Sequence, residues 1–231
     1  MAIRFGSQVL SAGADPNLGT SSEFDTPLRC ALSRGCVRAA CALLRHGASL
    51  EAAAAPTTPT TPKGAVGSAT TSSNQDVLTI ACSHLPPRSD STRLVRELLQ
   101  AGASPNGNYP NADGVPCPLV LACFSLGSCH PVLEAVVTAM VQAGAVVQGT
   151  GALVAASSTG CVAVVDLVLQ QGVDPCEAVA TGPVMPGDRS GPQWTANALT
   201  SAVQGGHVDV ALRLLDAGFS LTSVMPVTAY V

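Results

Sequence analysis

Cys117, Cys123, Cys129 and His130 lie close together in the sequence. Thiolates and an imidazole are the donors that a structural zinc ion takes, four at a time in a tetrahedron. Such sites pair their cysteines as Cys-x-x-Cys, and these cysteines are spaced otherwise, so no metal is expected here. Two adjacent pairs, Cys82 with His84 and Cys129 with His130, have the composition of a nucleophile and its general base. Neither pair has a third group in sight to orient the histidine, and neither sits in a recognised nucleophile turn. Phosphate chemistry would call for a glycine-rich loop that opens a helix, whereas "GASPNGN" (102–108) follows one. The pairs Thr58-Pro59 and Thr61-Pro62 have the form of proline-directed phosphorylation sites, and an unmodified linker is the simpler reading of them. The expectation is a non-enzymatic chain with no catalytic residue, no cofactor and no small-molecule substrate.

The elements that would have to position these residues explain the thiols more simply. The phrase "LSAGADPN" (10–17) returns as "LRHGASLE" (44–51), "LQAGASPN" (99–106), "VQAGAVVQ" (141–148), "LQQGVDPC" (169–176) and "LDAGFSLT" (215–222). In each, an apolar residue stands three places before a glycine, the pattern of a helix that ends in a left-handed C-cap. A second phrase precedes five of these: "TPLRCAL" (26–32), "DVLTIAC" (76–82), "CPLVLAC" (117–123), "GALVAAS" (151–157) and "NALTSAV" (197–203). From its leucine to the closing glycine, Leu28 to Gly47, Leu153 to Gly172 and Leu199 to Gly218 are each 19 positions apart. Leu78 to Gly102 and Leu119 to Gly144 are 24 and 25 apart, with the excess at "LPPRSD" and "SLGSCHP", where Pro and Gly signal a longer turn. In this register Cys82 and Cys123 fall where Leu32 and Val203 fall, and Cys36 and Cys161 align with His207. Buried thiols acting as small hydrophobes account for all four.

Each unit thus reads as two short helices joined by a turn and closed by glycine. Neither helix can bury its apolar face alone, so units must stack on their neighbours. Ala31, Ala81, Ala122, Ala155 and Ala202 are placed where close approach needs small side chains. The composition agrees: hydrophobic residues make up 47% of the chain and aromatic residues only 3%, a core of Ala, Val and Leu without a large aromatic-lined pocket.

The net charge of −4 is mild and of the wrong sign for nucleic-acid binding. Nine of the eleven basic residues precede position 100, so one end is basic and the other acidic, which would orient a charged partner. No charged residue occurs from Ala135 to Val165, yet Gln142, Gly144, Gln148, Gly149, Gly151 and Gly160 interrupt the run. Buried repeat helices fit that segment better than a membrane span of about 18 apolar residues. The start, "MAIRFGSQVLSAG", lacks the apolar stretch of a secretory signal, so the nine cysteines point to a reducing interior, the cytoplasm or the nucleus.

The stretch "TPLRCALSRGCVRAACALLRHGASL" (26–50) resembles an ankyrin repeat through Thr26, Pro27, Leu28, Ala31, Gly35, Leu43, Leu44, Gly47 and Ala48. The last unit keeps Gly206, His207, Leu214, Leu215 and Gly218, while Cys36 and Cys161 replace the usual histidine. The resemblance implies an all-α ankyrin-repeat solenoid of stacked helix-turn-helix units with short hairpin loops, over 1–231 as a single array. Its parts would be a leading half repeat (1–17) and repeats at 18–51, 76–106, 107–148, 149–176 and 177–231, the last with a long hairpin extension. The Thr/Pro/Ser-rich 52–75 reads as a disordered insertion.

The resemblance also implies a protein-interaction scaffold or adaptor, with its partner bound along a concave side by hairpin tips and the ends of first helices. Carried onto this sequence, those positions are Glu23, Asp25, Ser33, Arg34, Ser83, His84, Phe124, Ser125, Ser158, Thr159, Gln193, Trp194 and Gln204, with Phe124 and Trp194 as anchors or as fillers of their own hairpins. His207 is implied to support hydrogen bonds between repeats. A membrane-associated adaptor and a thiol-based redox or metal-binding protein stand as the alternatives.

Overall fold

The computed structural model describes residues 12–18, 26–50, 76–107, 116–127, 130–176, 178–180 and 195–219. The insertion at 52–75 lies outside them. The chain divides into two compact units, Met1–Ala145 and Val146–Val231.

In the first unit three helix pairs follow one another: α1 (Pro27–Ser33) with α2 (Val37–Arg45), α3 (Val77–Ser83) with α4 (Ser89–Gln100), and α5 (Pro118–Leu126) with α6 (His130–Gln142). The first helices pack in a row, α1 on α3 and α3 on α5, and the second helices do likewise, α2 on α4 and α4 on α6. The second unit holds two pairs, α7 (Ala152–Thr159) with α8 (Val162–Leu169) and α9 (Ala198–Gln204) with α10 (Val208–Asp216). Here α7 packs on α9 and α8 on α10. Two short strands, β1 (Ala178–Ala180) and β2 (Thr195–Asn197), pair antiparallel with Val179 opposite Ala196, and β2 runs straight into α9.

Local chemistry sets the boundaries. The Thr26 hydroxyl accepts from the Arg29 amide and Pro27 opens α1. Asp76 accepts from the Leu78 amide, and Asn197 accepts from the Thr200 amide at 2.7 Å. Each supplies an oxygen to an otherwise orphaned first-turn amide. The second helices close alike. Ala48 donates to the Leu43 carbonyl, Ala103 to Leu98, Ala145 to Met140 and Phe219 to Leu214, all at 3.0–3.1 Å. That bond needs a left-handed residue just before its donor, and Gly47, Gly102, Gly144 and Gly218 supply it with φ of 83° to 95°. The longer turn between α3 and α4 is held by Ser91, fully buried, whose hydroxyl donates to the Pro86 carbonyl at 2.6 Å.

α3, between α1 and α5, and α7 are buried almost throughout: every residue from Val77 to Cys82 and from Ala152 to Ser157 is buried. Such burial leaves room only for small side chains, and Ala81, Ala122, Ala155 and Ala202 occupy those contacts. Successive turns are also tied by side chains. Asn17 accepts from the Ser49 amide at 2.7 Å and donates to the Gly47 carbonyl. Gln148, four places after its glycine as Asn17 is after Gly13, donates to the Gly172 carbonyl at 3.2 Å.

Candidate interaction surface

Counted from the leucine that opens each first helix, the expected partner-facing residues occupy the fifth and sixth following positions. The fifth holds Ser33, Ser83 and Phe124 in the first unit, and Ser158 and Gln204 in the second. The three serines donate to carbonyls one turn back: Ser33 to Cys30 at 3.2 Å, Ser83 to Ile80 at 2.9 Å and Ser158 to Ala155 at 2.7 Å. Their hydroxyls finish their own helices, and the surface over them is low and polar. Phe124 breaks the row: at the same register it presents a phenyl ring with 63% of its surface exposed.

The sixth position depends on where the helix stops. α1 ends at Ser33 and α3 at Ser83, so Arg34 and His84 are exposed C-cap residues. α5 continues to Leu126, which leaves Ser125 half-buried. α7 runs through Thr159 to a C-cap at Gly160, so Thr159 is turned about 100° from Ser158 into the core, where it is buried and donates to the Ala156 carbonyl at 2.7 Å. Thr159 therefore does not join the exposed row. Glu23, Asp25, Gln193 and Trp194 lie outside the described residues.

Burial keeps two of the thiols in their neutral form. Cys82 is wholly buried, and burial holds its thiol far above the ordinary range, with Cys117, Cys123 and Asp76 beside it adding to the shift. His84, its sequence neighbour, turns away: its Nδ1 lies 2.7 Å from Ser83 Oγ and 3.2 Å from the Ile80 carbonyl. Cys41 faces a cleft of about 280 Å³ between α2 and α4, lined also by Val37, Arg38, Arg45, Asp90 and Arg93. Burial pushes its thiol up to about 12, and the neighbouring Glu97 carboxylate adds to this. Arg45 and Arg93 both donate to Glu97 Oε1 at 2.9 Å, so two of the cleft's three arginines are already engaged. Cys129 lies outside the described residues, and among these no group of three His, Cys, Asp or Glu side chains could hold a metal ion.

His207 belongs to the framework. At the N-cap of α10 it reaches back one helix pair and donates from Nε2 to the Ser158 carbonyl at 3.1 Å, which places its proton on Nε2. Glycines clear space for the ring on two sides. A Cβ at Gly160 would stand 2.5 Å from Nδ1, and one at Gly205 would stand 2.6 Å from Nε2. Cys36 and Cys161 hold the same N-cap register in α2 and α8.

Paired antiparallel helices, a glycine closing each pair and an N-cap side chain reaching to the preceding pair lead to one comparison. The crystal structure of the human ASB11 ankyrin repeat domain is similar to this chain at a TM-score of 0.55, covering 85% of this chain and 71% of that one. The fold is that of an ankyrin-repeat domain. Identity to the human domain is 20%, so the likeness concerns architecture alone. No family model and no curated protein matches the sequence. Within an ankyrin-repeat frame, the substitution of the usual histidine by Cys36 and Cys161 keeps the N-cap register and gives up the long reach that His207 retains. The uncharged stretch at 135–165 forms the C-terminal part of α6, all of α7 and the first half of α8, and among the described residues no helix is long and apolar enough to cross a membrane.

Proposed function

We propose that this chain is a non-enzymatic protein-interaction scaffold, which binds a partner protein along the row of residues at the ends of its first helices. In the first unit the row comprises Ser33, Arg34, Ser83, His84, Phe124 and Ser125; the second unit carries a row of its own with Ser158 and Gln204. Phe124 carries the reading. A ring 63% exposed, at the register where Ser33 and Ser83 bond back to their own helices, is an apolar anchor in an otherwise polar row. Within the first unit the row is preformed, which lowers the entropic cost of docking a protein segment. Arg34, at the end of α1 with α3 between it and Phe124, favours a segment with an acidic residue set apart from its apolar anchor.

The eight cysteines among the described residues are all free, which supports a reducing location inside the cell, in cytoplasm or nucleus. The test is quantitative proximity labelling in cells with the wild type, Phe124→Ala and Arg34→Glu. Loss of a common group of partners from both variants, with stability unchanged, is expected. An identical partner set for wild type and both variants refutes the surface.

A further inference from the structure

The last helix pair of the second unit presents an apolar face whose counterpart on the first pair, α1 and α2, is covered. Val203 stands four places after Leu199, the register of Leu32, Cys82 and Ser157, each at most 2% exposed. Val203 is 64% exposed. On α10, Val208, Leu212 and Leu215 form one stripe and are 67%, 56% and 40% exposed. Counted from the closing glycine, Val208 and Leu212 correspond to Val37 and Cys41 of α2, both buried beneath α4. The stripe is therefore the surface on which one more helix pair would stack.

Charge specifies what covers it. On two covered second helices, α2 and α8, the covering helix brings a side chain of opposite sign. Arg45 of α2 meets Glu97 of α4, and Asp166 of α8 meets Arg213 of α10. Asp216 holds the register of Arg45, two places before the closing glycine, with the sign reversed. Asp209 and Asp216 lie beside the apolar stripe, both exposed, and neither has an ion pair among the described residues. Residues 220–231 contain no Lys or Arg. A second copy meeting this face across a two-fold axis would bring like charges together.

We propose that the α9–α10 face binds a helical segment of another protein that carries an apolar seam flanked by Arg or Lys, one of which meets Asp216. This interface is separate from the Phe124 row and stands or falls apart from it. The probe is a peptide of α4, residues 89–100, held helical by a hydrocarbon staple replacing Thr92 and Arg96. One version keeps the natural sequence and one carries Glu97→Arg. Fluorescence anisotropy with the full chain is expected to show the Glu97→Arg peptide binding at least about threefold more tightly than the natural one. The order should invert on Asp216→Arg protein, and Leu212→Ser with Leu215→Ser should weaken both peptides roughly tenfold or more. Phe124→Ala should change neither. Failure of both peptides to bind, or affinities indifferent to the stripe or to the charge exchange, overturns the proposal. So does a wild-type dimer in light scattering that Leu212→Ser dissociates, which gives the face to a second copy. Increased amide exchange along α10 after truncation at Phe219 overturns it also, by giving the face to the chain's own end.

Discussion

Replacing Gly160 by Ala tests the packing around His207 most directly. The new Cβ would stand 2.5 Å from His207 Nδ1, well inside contact, and the residue would be held at φ +75°. A left-handed alanine costs about 1–2 kcal/mol on its own. Expelling the imidazole forfeits its bond to the Ser158 carbonyl, about 1 kcal/mol more. The single variant should therefore lose about 2–3 kcal/mol in urea denaturation followed by circular dichroism, whereas His207→Ala alone should lose about 1. In the His207→Ala background the ring is gone, and Gly160→Ala should cost only the backbone share, about 1–2 kcal/mol. The cycle then carries a coupling of about 1 kcal/mol. Gly205→Ala sharpens the test. Gly205 has an ordinary φ of −77°, so only the ring opposes a Cβ there. Once His207 is Ala, Gly205→Ala should become stabilising by about 0.4–1 kcal/mol through the unfolded state. Strictly additive losses, or the same sign for Gly205→Ala in both backgrounds, would refute the account.

Three further outcomes follow from the same geometry. Burial raises the Asp76 carboxyl above its ordinary 3.8 despite the Leu78 amide, so the folded chain holds that proton to higher pH than the unfolded chain does. Stability from this group declines as pH rises from 3.8 through the raised folded value. Asp76→Asn, which keeps an acceptor for Leu78, should gain on the wild type across that window, while Asp76→Ala should lose about 1 kcal/mol with its cap. Native labelling with a maleimide at neutral pH should modify exposed Cys36 first and leave Cys41, Cys82 and Cys123 untouched until denaturant is added, as mass mapping will show. Leu78→Ala, at a wholly buried side chain in the middle of the first unit, should cost about 2–5 kcal/mol in the same denaturation assay.

The architecture was legible because two signals repeat at fixed offsets. The leucine that opens each first helix and the glycine that closes each second helix recur in all five pairs, and the structure places both as their chemistry requires. Cys82 and Cys123 were legible for the same reason, since they share a register with Leu32, whereas Cys36, expected to be buried like them, is exposed. The surface was only partly so. Arg34, His84 and Thr159 look equivalent by counting, yet one further residue of helix in α7 turns Thr159 inward. Helix length at that resolution depends on whether Gly160 or a bulkier residue takes the C-cap, a competition spread over several weak local energies. The bare face of α9–α10 could not be read at all. Val203, Val208 and Leu212 carry the same apolar signature as their buried counterparts, and only the absence of a covering helix among the described residues sets them apart.

The glycines that close the second helices also shape which genetic changes this protein tolerates. Every glycine codon is one base from codons for bulkier residues, and none of those side chains is comfortable at the φ of 77° to 95° found at Gly47, Gly102, Gly144, Gly172 and Gly218. Single-nucleotide variants should therefore be depleted at these five codons in a population under selection. The intervening turns of Ser, Pro and Asn absorb variation more freely, so substitutions accumulate in a banded pattern with the periodicity of the helix pairs.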